Sequence, residues 1–253
     1  MTPDVVVDIG NTRMKWGRCV GGRVADVARL PLDDPGAWDA ELAKLPPPQA
    51  FARKWAVASV NPPALHRFVA WSSDHGGTAV FEDYTQLPIR VDVDEPGKVG
   101  LDRLFGAVAA KAMVPPGTAA ITVDVGTAVT VNLINADGVF QGGAIMPGPR
   151  LMGRALHELT AKLPLIDLSE VPVAGVPGRN TTDAIRAGIA AAIQGGVGIL
   201  IERLVIQHPW PWLFVTGGAR GSLSKHLFRG VDEVIERPEL TLEGIRIAAE
   251  ALP

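Results

Sequence analysis

The 253-residue chain has 24 basic and 27 acidic side chains, hence a formal net charge of −3, and a single cysteine. One cysteine cannot form an internal disulfide, so a disulfide-framed secreted scaffold is excluded. The mildly negative net charge argues against electrostatic binding of nucleic acid. A hydrophobic fraction of 47% is ordinary for a globular protein, and the length allows one large domain or two of about 100–150 residues.

Two stretches of the chain begin alike: residues 5–12 read VVVDIGNT and residues 121–128 read ITVDVGTA. In each, a turn and two further apolar runs follow, with Gly-Gly or Asp-Gly between the runs, as is typical of β-hairpins. Each stretch therefore predicts an antiparallel meander with an aspartate at its first turn. A short motif can recur by chance, but the repeated hairpin pattern favours an internal duplication. The Pro-Pro-Gly cluster at 115–117 then divides the chain into domains 1–117 and 118–253.

Hydrophobic periodicity predicts the other elements. They are, in chain order, a strand at 55–60, helices at 63–73 and 100–113, helices at 150–163 and 181–207, a strand at 212–216 and a helix at 240–252. Thr181 or Thr182 is expected to cap the long helix. Glycines 188, 195, 196 and 198 inside it, each costing about 1 kcal/mol, indicate close packing against another backbone or a break near Gln194.

The sequence predicts a soluble, cytoplasmic protein. Residues 1–8 contain no basic region and only three consecutive valines, unlike a signal peptide. The most apolar stretch, 187–201, is interrupted by Gln194 and flanked by charged residues, so it is not expected to span a membrane. Cys19 falls in a predicted strand, where a small core residue is expected rather than a nucleophile.

The turn at residues 8–12 has the character of an anion-binding turn. Its glycine frees the backbone so that successive N–H groups can point at an anion, while its asparagine and threonine, and Lys15 nearby, add donors and charge. Asp8 would need a mediating cation such as Mg²⁺ to lie beside a phosphate. An ordinary hairpin capped by its own aspartate is the alternative. The second copy at 124–127 favours a polyphosphate clamped between two domains.

Two further segments are weaker on their own. A strand that runs into Gly217-Gly218 allows a flat ligand close to the backbone, although an ordinary βα turn has the same sequence. Asp102 falls in the first turn of a predicted helix, where the helix dipole stabilises a carboxylate, and a simple dipole-favouring aspartate next to Arg103 is the alternative. The sequence contains no G-x-x-x-x-G-K-[ST] motif and no zinc-ligand spacing.

Together these motifs resemble the actin, Hsp70 and sugar-kinase superfamily and, within it, the type III pantothenate kinases, a family that includes the Bvg accessory factor proteins. The matching segments are DIGNTRMKWG at 8–17, GLDR at 100–103, DVGTAVTVN at 124–132, GGAIMPG at 142–148, LTAKLP at 159–164, NTTDAIRAG at 180–188 and TGGA at 216–219. Each is weak alone, but seven in order along nearly the whole chain are specific. The resemblance implies an α/β fold of two duplicated ribonuclease-H-like domains, the actin-like ATPase fold, with an ATP cleft between them.

The resemblance also implies an activity. These enzymes transfer the γ-phosphoryl group of ATP to the terminal hydroxyl of pantothenate, which gives 4′-phosphopantothenate in the first step of coenzyme A biosynthesis. It implies Mg²⁺, a monovalent cation (K⁺ or NH₄⁺) and a homodimer, for which the four helix glycines are candidate contacts. No nucleic-acid or membrane partner is expected.

Site residues follow from the resemblance position by position. ATP would contact Asp8, Ile9, Gly10, Asn11, Thr12, Arg13, Met14, Lys15 and Thr127. Pantothenate would contact Val93, Gly100, Leu101, Asp102, Arg103 and Thr181, the last near the dimer interface. The resemblance makes Asp102 the catalytic base, Asp124 the ligand of the monovalent cation, and Asp8 a ligand of Mg²⁺ through water.

Two positions depart from the family pattern. Val93 stands where a tyrosine often contacts pantothenate, which puts that one contact in doubt. Leu101 stands where alanine is common, so the pantothenate pocket is expected to be narrower. Two other functions stay open: a kinase of the same superfamily with another small hydroxyl substrate, and a non-enzymatic regulator, which the family name also covers. The intact phosphate turns favour catalysis.

Overall fold

A computed structural model describes residues 1–48, 52–168 and 175–252. The strands are β1 (Val5–Ile9), β2 (Met14–Val20), β3 (Arg23–Leu30), β4 (Arg53–Ser59), β5 (Gly76–Phe81), β6 (Arg90–Val91), β7 (Ala120–Val125), β8 (Ala128–Ile134), β9 (Val139–Pro147), β10 (Trp212–Thr216) and β11 (Glu233–Glu236). The helices are α1 (Pro35–Leu42), α2 (Pro62–Ser72), α3 (Leu101–Met113), α4 (Pro149–Glu158), α5 (Thr181–Gln207) and α6 (Leu240–Ala251).

The chain folds into two units. The first comprises Met1–Met113 and Glu239–Pro253, and the second comprises Val114–Pro238. The sequence-based division assigned the last helix to the second domain, whereas in the structure α6 belongs to the first unit. Buried Glu243 on α6 ties it there, because its carboxylate accepts a hydrogen bond of 2.7 Å from the Val24 backbone N–H on β3.

In the first unit, the sheet has the order β3-β2-β1-β4-β5. β1, β2 and β3 are antiparallel neighbours, while β4 pairs with β1 and β5 with β4 in parallel. Asn61 starts α2 by accepting a hydrogen bond of 3.2 Å from the Ala64 N–H, and prolines occupy its first turn. Beside the sheet, Trp16, Trp38, Trp55 and Phe68 form an aromatic core.

The second unit repeats this topology. Its strands follow the order β9-β8-β7-β10-β11, again a three-stranded antiparallel meander with two parallel strands beside its first strand. The predicted duplication is therefore present at the level of the fold, and the two aspartates fall at equivalent places: Asp8 is the second-last residue of β1 and Asp124 the second-last residue of β7.

The long helix α5 has the predicted bounds and no break at Gln194. Its N-cap is Asn180 rather than Thr181 or Thr182, because the Asn180 side chain accepts a 2.9 Å hydrogen bond from the Asp183 N–H. Among the described residues it is the one helix long and apolar enough to cross a membrane by length and composition. It also supplies the core of the second unit with a buried stripe, made of Ile185, Ile189, Ile193, Val197 and Ile201.

Candidate functional site

The first phosphate-like turn joins β1 to β2. The Gly10 N–H donates to the Arg13 carbonyl oxygen at 3.1 Å and closes the turn, leaving Asn11, Thr12 and Arg13 exposed. The flanking Ile9 and Met14 side chains are fully buried. Of the residues expected to contact ATP, these two can therefore offer only backbone groups.

Asp8 and Lys15 face each other across this hairpin as direct cross-strand partners. The Lys15 ammonium donates to Asp8 Oδ2 at 3.3 Å, and the two side chains are 28% and 13% exposed, respectively. The sequence identified both residues but not this ion pair. The turn thus lies next to a lysine, and the ammonium group of that lysine compensates the charge of Asp8.

Asp102 lies in the first turn of α3, as predicted, and its Oδ1 accepts a 2.9 Å hydrogen bond from the Arg103 N–H. The side chain is accessible to solvent, yet the surrounding protein desolvates the carboxyl group and raises the pKa of Asp102. The Arg103 N–H opposes that rise, the charge of Asp8 adds to it, and the charge of Arg103 opposes it. The helix terminus was expected to favour the anion, but here desolvation dominates.

Gly100 makes room for the Asp102 carboxylate. A Cβ at residue 100 would lie 2.5 Å from Asp102 Oδ1, so any side chain there would push the carboxylate away. Leu101 and Val93 are half-buried, and Val93 lies between β6 and a 3-10 turn at Pro96–Lys98. Desolvation lowers the pKa of Arg103, an effect that Asp102 opposes.

In the second unit, Asp124 precedes a hairpin turn like the first one. The Gly126 N–H donates to the Ala128 carbonyl oxygen at 3.0 Å, and Thr127 is exposed at the tip. The cross-strand partner of Asp124 is Thr130, a neutral residue. The backbone N–H of Gly148, the end of the GGAIMPG segment, donates to the Thr127 carbonyl oxygen at 2.9 Å.

The TGGA segment packs directly onto Asp124. Thr216 is the parallel partner of Asp124, and Gly217 follows with φ +94°, in the left-handed region that favours glycine. A Cβ at Gly217 would overlap Asp124 Oδ1 and would lie 2.5 Å from the Val125 nitrogen. The TGGA segment, about 90 residues further along the chain, therefore packs against the Asp124 carboxylate.

Sequence reasoning missed Arg220, which immediately follows this segment. Its Nη1 donates to the Gly217 carbonyl oxygen at 3.2 Å, and its Nε lies 3.7 Å from Glu236 Oε2 on β11. Adjacency to the glycine turn was the one indication in the sequence. Thr181, by contrast, is exposed at the start of α5. Burial raises the pKa of the Cys19 thiol to about 12, which disfavours the reactive thiolate form.

The described residues offer few ligands for the two expected cations, Mg²⁺ and a monovalent ion. Among the described residues, no group of three or more His, Cys, Asp or Glu side chains forms a metal site. Asp8 offers a single, largely buried carboxylate, which suits Mg²⁺ because that ion keeps several waters. The Asp124 carboxylate and the Val125 carbonyl oxygen both lie against Gly217, where a Cβ would clash with each of them, and oxygen atoms of these two kinds are ligands that K⁺ accepts.

The fold is that of the actin-like ATPases and sugar kinases. The activator of the 2-hydroxyisocaproyl-CoA dehydratase from Clostridium difficile, solved with bound ADPNP, aligns with a TM-score of 0.53 at 14% identity, over 98% of this chain and 96% of that one. A ROK hexokinase from Thermus thermophilus aligns with a TM-score of 0.50 at 12% identity, over 96% and 97% of the two chains. At such identities the similarity concerns the fold alone. It confirms the duplicated α/β class.

The sequence relatives narrow this class to one family. Residues 5–203 match the family model of the type III pantothenate kinases. The chain is 34% identical over 251 residues to a type III pantothenate kinase of Halorhodospira halophila, covering 95% of both proteins, and 33% identical to one of Rubrobacter xylanophilus, covering 96% of both. The chain belongs to the type III pantothenate kinase family. It is an ATP-using kinase with a hydroxyl acceptor.

Proposed function

We propose that the protein transfers the γ-phosphoryl group of ATP to the terminal hydroxyl of pantothenate, forming 4′-phosphopantothenate in the first step of coenzyme A biosynthesis. The observation that carries the proposal is the charge cluster of the first unit. Lys15 pairs with Asp8 at 3.3 Å, and desolvation raises the pKa of Asp102, a rise to which the charge of Asp8 adds. Asp8 therefore connects a lysine that could bind phosphate, Lys15, with the candidate base, Asp102, and could itself bind a metal ion.

The turn between β1 and β2 would bind the phosphates of ATP. Phosphoryl transfer depends mainly on positioning and on neutralising the charge of the transferred group. Lys15 and the exposed turn residues Asn11, Thr12 and Arg13 supply donors for this, and Asp8 would hold Mg²⁺ through water. When bound, Mg²⁺ supplies further charge neutralisation. Lys15 has to exchange its contact with Asp8 for a phosphate oxygen.

Asp102 would accept the proton of the attacking hydroxyl. Its raised pKa makes the carboxylate a stronger base than an ordinary aspartate, and general base catalysis contributes about 10²–10⁴-fold. Arg103 would pair with the carboxylate of pantothenate, an interaction that can be bidentate. Gly100, Leu101 and Val93 would line the same pocket, with the two bulkier side chains narrowing it.

The second unit would contribute Thr127 to the nucleotide and Asp124 to the monovalent cation, K⁺ or NH₄⁺. The geometry around Asp124 supports the second role, because two oxygen ligands, the Asp124 carboxylate and the Val125 carbonyl, lie against the same glycine, Gly217. A cation at this carboxylate would add positive charge near the anionic nucleotide.

The active protein would be a cytoplasmic homodimer that contacts its partner through α5, with Thr181 near the interface. Gly188 and Gly195 support this, because they lie on the exposed face of α5 with open space around their Cα atoms. Gly196 and Gly198 face Met146 and Leu227 of the same chain, so they pack internally. Light scattering after gel filtration would measure the mass, and a monomer at working concentrations would contradict the dimer.

The activity is tested by ADP release from the purified protein with ATP, Mg²⁺, K⁺ and pantothenate. We expect ADP formation that depends on pantothenate, together with a product heavier by one phosphoryl group in mass spectrometry. A panel of sugars and small hydroxy acids is the control for acceptor identity. ADP formation with one of those and not with pantothenate would assign another substrate, and none with any acceptor would contradict a kinase.

A further inference from the structure

Arg220 makes contacts that the proposed reaction has not used. Its Nη1 holds the Gly217 carbonyl oxygen at 3.2 Å, while Glu236 Oε2 lies 3.7 Å from its Nε. The Nε atom is buried and has no hydrogen-bond partner among the described residues. Buried donors are nearly always satisfied in folded proteins, and exceptions concentrate at functional sites. The missing hydrogen bond at Nε costs free energy of folding, and a functional role for the other contacts of Arg220 would explain why the arrangement is kept.

The peptide held by Arg220 is the one packed on Asp124. Gly217 adopts φ +94° and its Cα lies so close to Asp124 that a Cβ would overlap Oδ1. The same loop is fixed from its other side, because the Ala219 N–H donates to the Val125 carbonyl oxygen at 3.0 Å. Without the Arg220 hydrogen bond, the Gly217 carbonyl could rotate. The Gly217 backbone, which packs on the Asp124 carboxylate, would then move.

We propose that Arg220 is a positioning residue for the cation site at Asp124: by holding the Gly217 carbonyl, it fixes the backbone beside Oδ1 and thereby sets the affinity for the monovalent cation. This rests on the proposed function in one respect, the role of Asp124 as a cation ligand. Arg220 does not need to touch the cation. Glu236 offsets its positive charge, so that a second cation is tolerated nearby.

The test uses Arg220→Met, which keeps a flexible apolar stem but removes the hydrogen bond and the charge. The midpoint of thermal unfolding is measured over a KCl series, with tetramethylammonium chloride holding the ionic strength constant, because an ion bound by the folded state raises that midpoint. Pantothenate-dependent ADP formation is measured over the same series. The apparent K⁺ dissociation constant should rise by about 10–100-fold, the usual effect of losing a group that orients a metal ligand.

Arg220→Lys keeps a cationic donor and should restore part of the K⁺ affinity. Arg229→Met, which removes an exposed arginine of the same unit, should leave the K⁺ dependence unchanged. In the background of Asp124→Asn, replacing Arg220 should cause no further loss of K⁺ dependence, since coupled residues are not additive.

A merely structural role would lower the unfolding midpoint equally at every K⁺ concentration. That result, or additive losses with Asp124→Asn, would overturn the inference. A wild-type protein whose stability ignores K⁺ would also overturn it, because there would be no cation site to position. If the wild type responds to K⁺ but forms no ADP with pantothenate, the proposed function fails while the role of Arg220 stands or falls on the unfolding data.

Discussion

The two units place an aspartate at the same point of the same meander but surround it differently. In the first unit, the cross-strand partner of Asp8 is Lys15, whose ammonium lies 3.3 Å from the carboxylate. In the second unit, the corresponding partner of Asp124 is Thr130, and the backbone of Gly217 packs on the carboxylate. The duplicated fold places the two carboxylates at equivalent positions, and their different neighbours give each one a different environment.

The two units therefore build their candidate sites in different ways. The first unit relies on side-chain charges that act on one another, from Lys15 through Asp8 to Asp102. The second relies on the close approach of backbone, with Gly217 and Gly148 both placed against the Asp124 hairpin. Substitutions of charged groups in the first unit should therefore affect turnover, whereas added side chains in the second should first affect stability.

The largest effect is expected from Asp102→Asn. Asparagine keeps the shape and can still accept the Arg103 N–H, but it cannot take a proton from the hydroxyl. We expect kcat to fall by about 10²–10⁴-fold with unchanged circular dichroism. Near-normal turnover in a steady-state assay would remove Asp102 as the base and weaken the contrast between the units.

The next effect is expected from Gly100→Ala, because its Cβ would lie 2.5 Å from Asp102 Oδ1. A displaced base should lower kcat by up to about 10²-fold. Gly97→Ala is the matched control, since nothing lies within 4 Å of the added Cβ. Equal kcat values for the two variants would show that Gly100 does not position the carboxylate.

In the second unit, Gly217→Ala should lower the free energy of unfolding by about 1–3 kcal/mol, the usual cost of a strained backbone. The residue has φ +94° and no room for a Cβ. Gly218→Ala is the control, because nothing surrounds its Cβ within 4 Å. Urea unfolding measures both, and a loss no larger at Gly217 than at Gly218 would contradict close packing on Asp124.

The smallest effect concerns pH and stability. Desolvation raises the pKa of Asp102 in the folded state, so the folded protein binds this proton more tightly than the unfolded chain does. The free energy of unfolding then falls as pH rises from the unfolded pKa through the folded pKa. Asp102→Asn should therefore unfold at a higher temperature than the wild type at neutral pH. The two should converge near pH 4, about the unfolded pKa of aspartate, and the opposite order at pH 7 would refute the raised pKa.

The parts of the fold that local pattern determines were predictable from the sequence. The bounds of α5 and β10, the duplication and the first turn of α3 all follow from periodicity and turn residues. β9, by contrast, runs through the glycines at 142 and 143 to Pro147, because its pairing with β8 outweighs the low strand propensity of glycine. An apolar helix face does not say which sheet it will cover, so the place of α6 could not be predicted.

The candidate site was predictable as a set of residues and not as a set of interactions. The motifs identified Asp8, Lys15 and Asp102, but the raised pKa of Asp102 depends on desolvation and on Asp8, more than 90 residues away in the chain. Arg220 shows the same limit. Its role depends on Glu236 and on the Gly217 turn, which meet only after β10 and β11 have paired.

The return of α6 to the first unit has a consequence for the order in which the chain can fold during synthesis. The second unit is one continuous stretch, Val114–Pro238, so its core can form as soon as that stretch has left the ribosome. The first unit, although its sheet is made earlier, waits for α6, which follows the second unit in the chain, because Glu243 and its neighbours on α6 complete its interior. The segment synthesised first therefore reaches its native state after the segment that follows it.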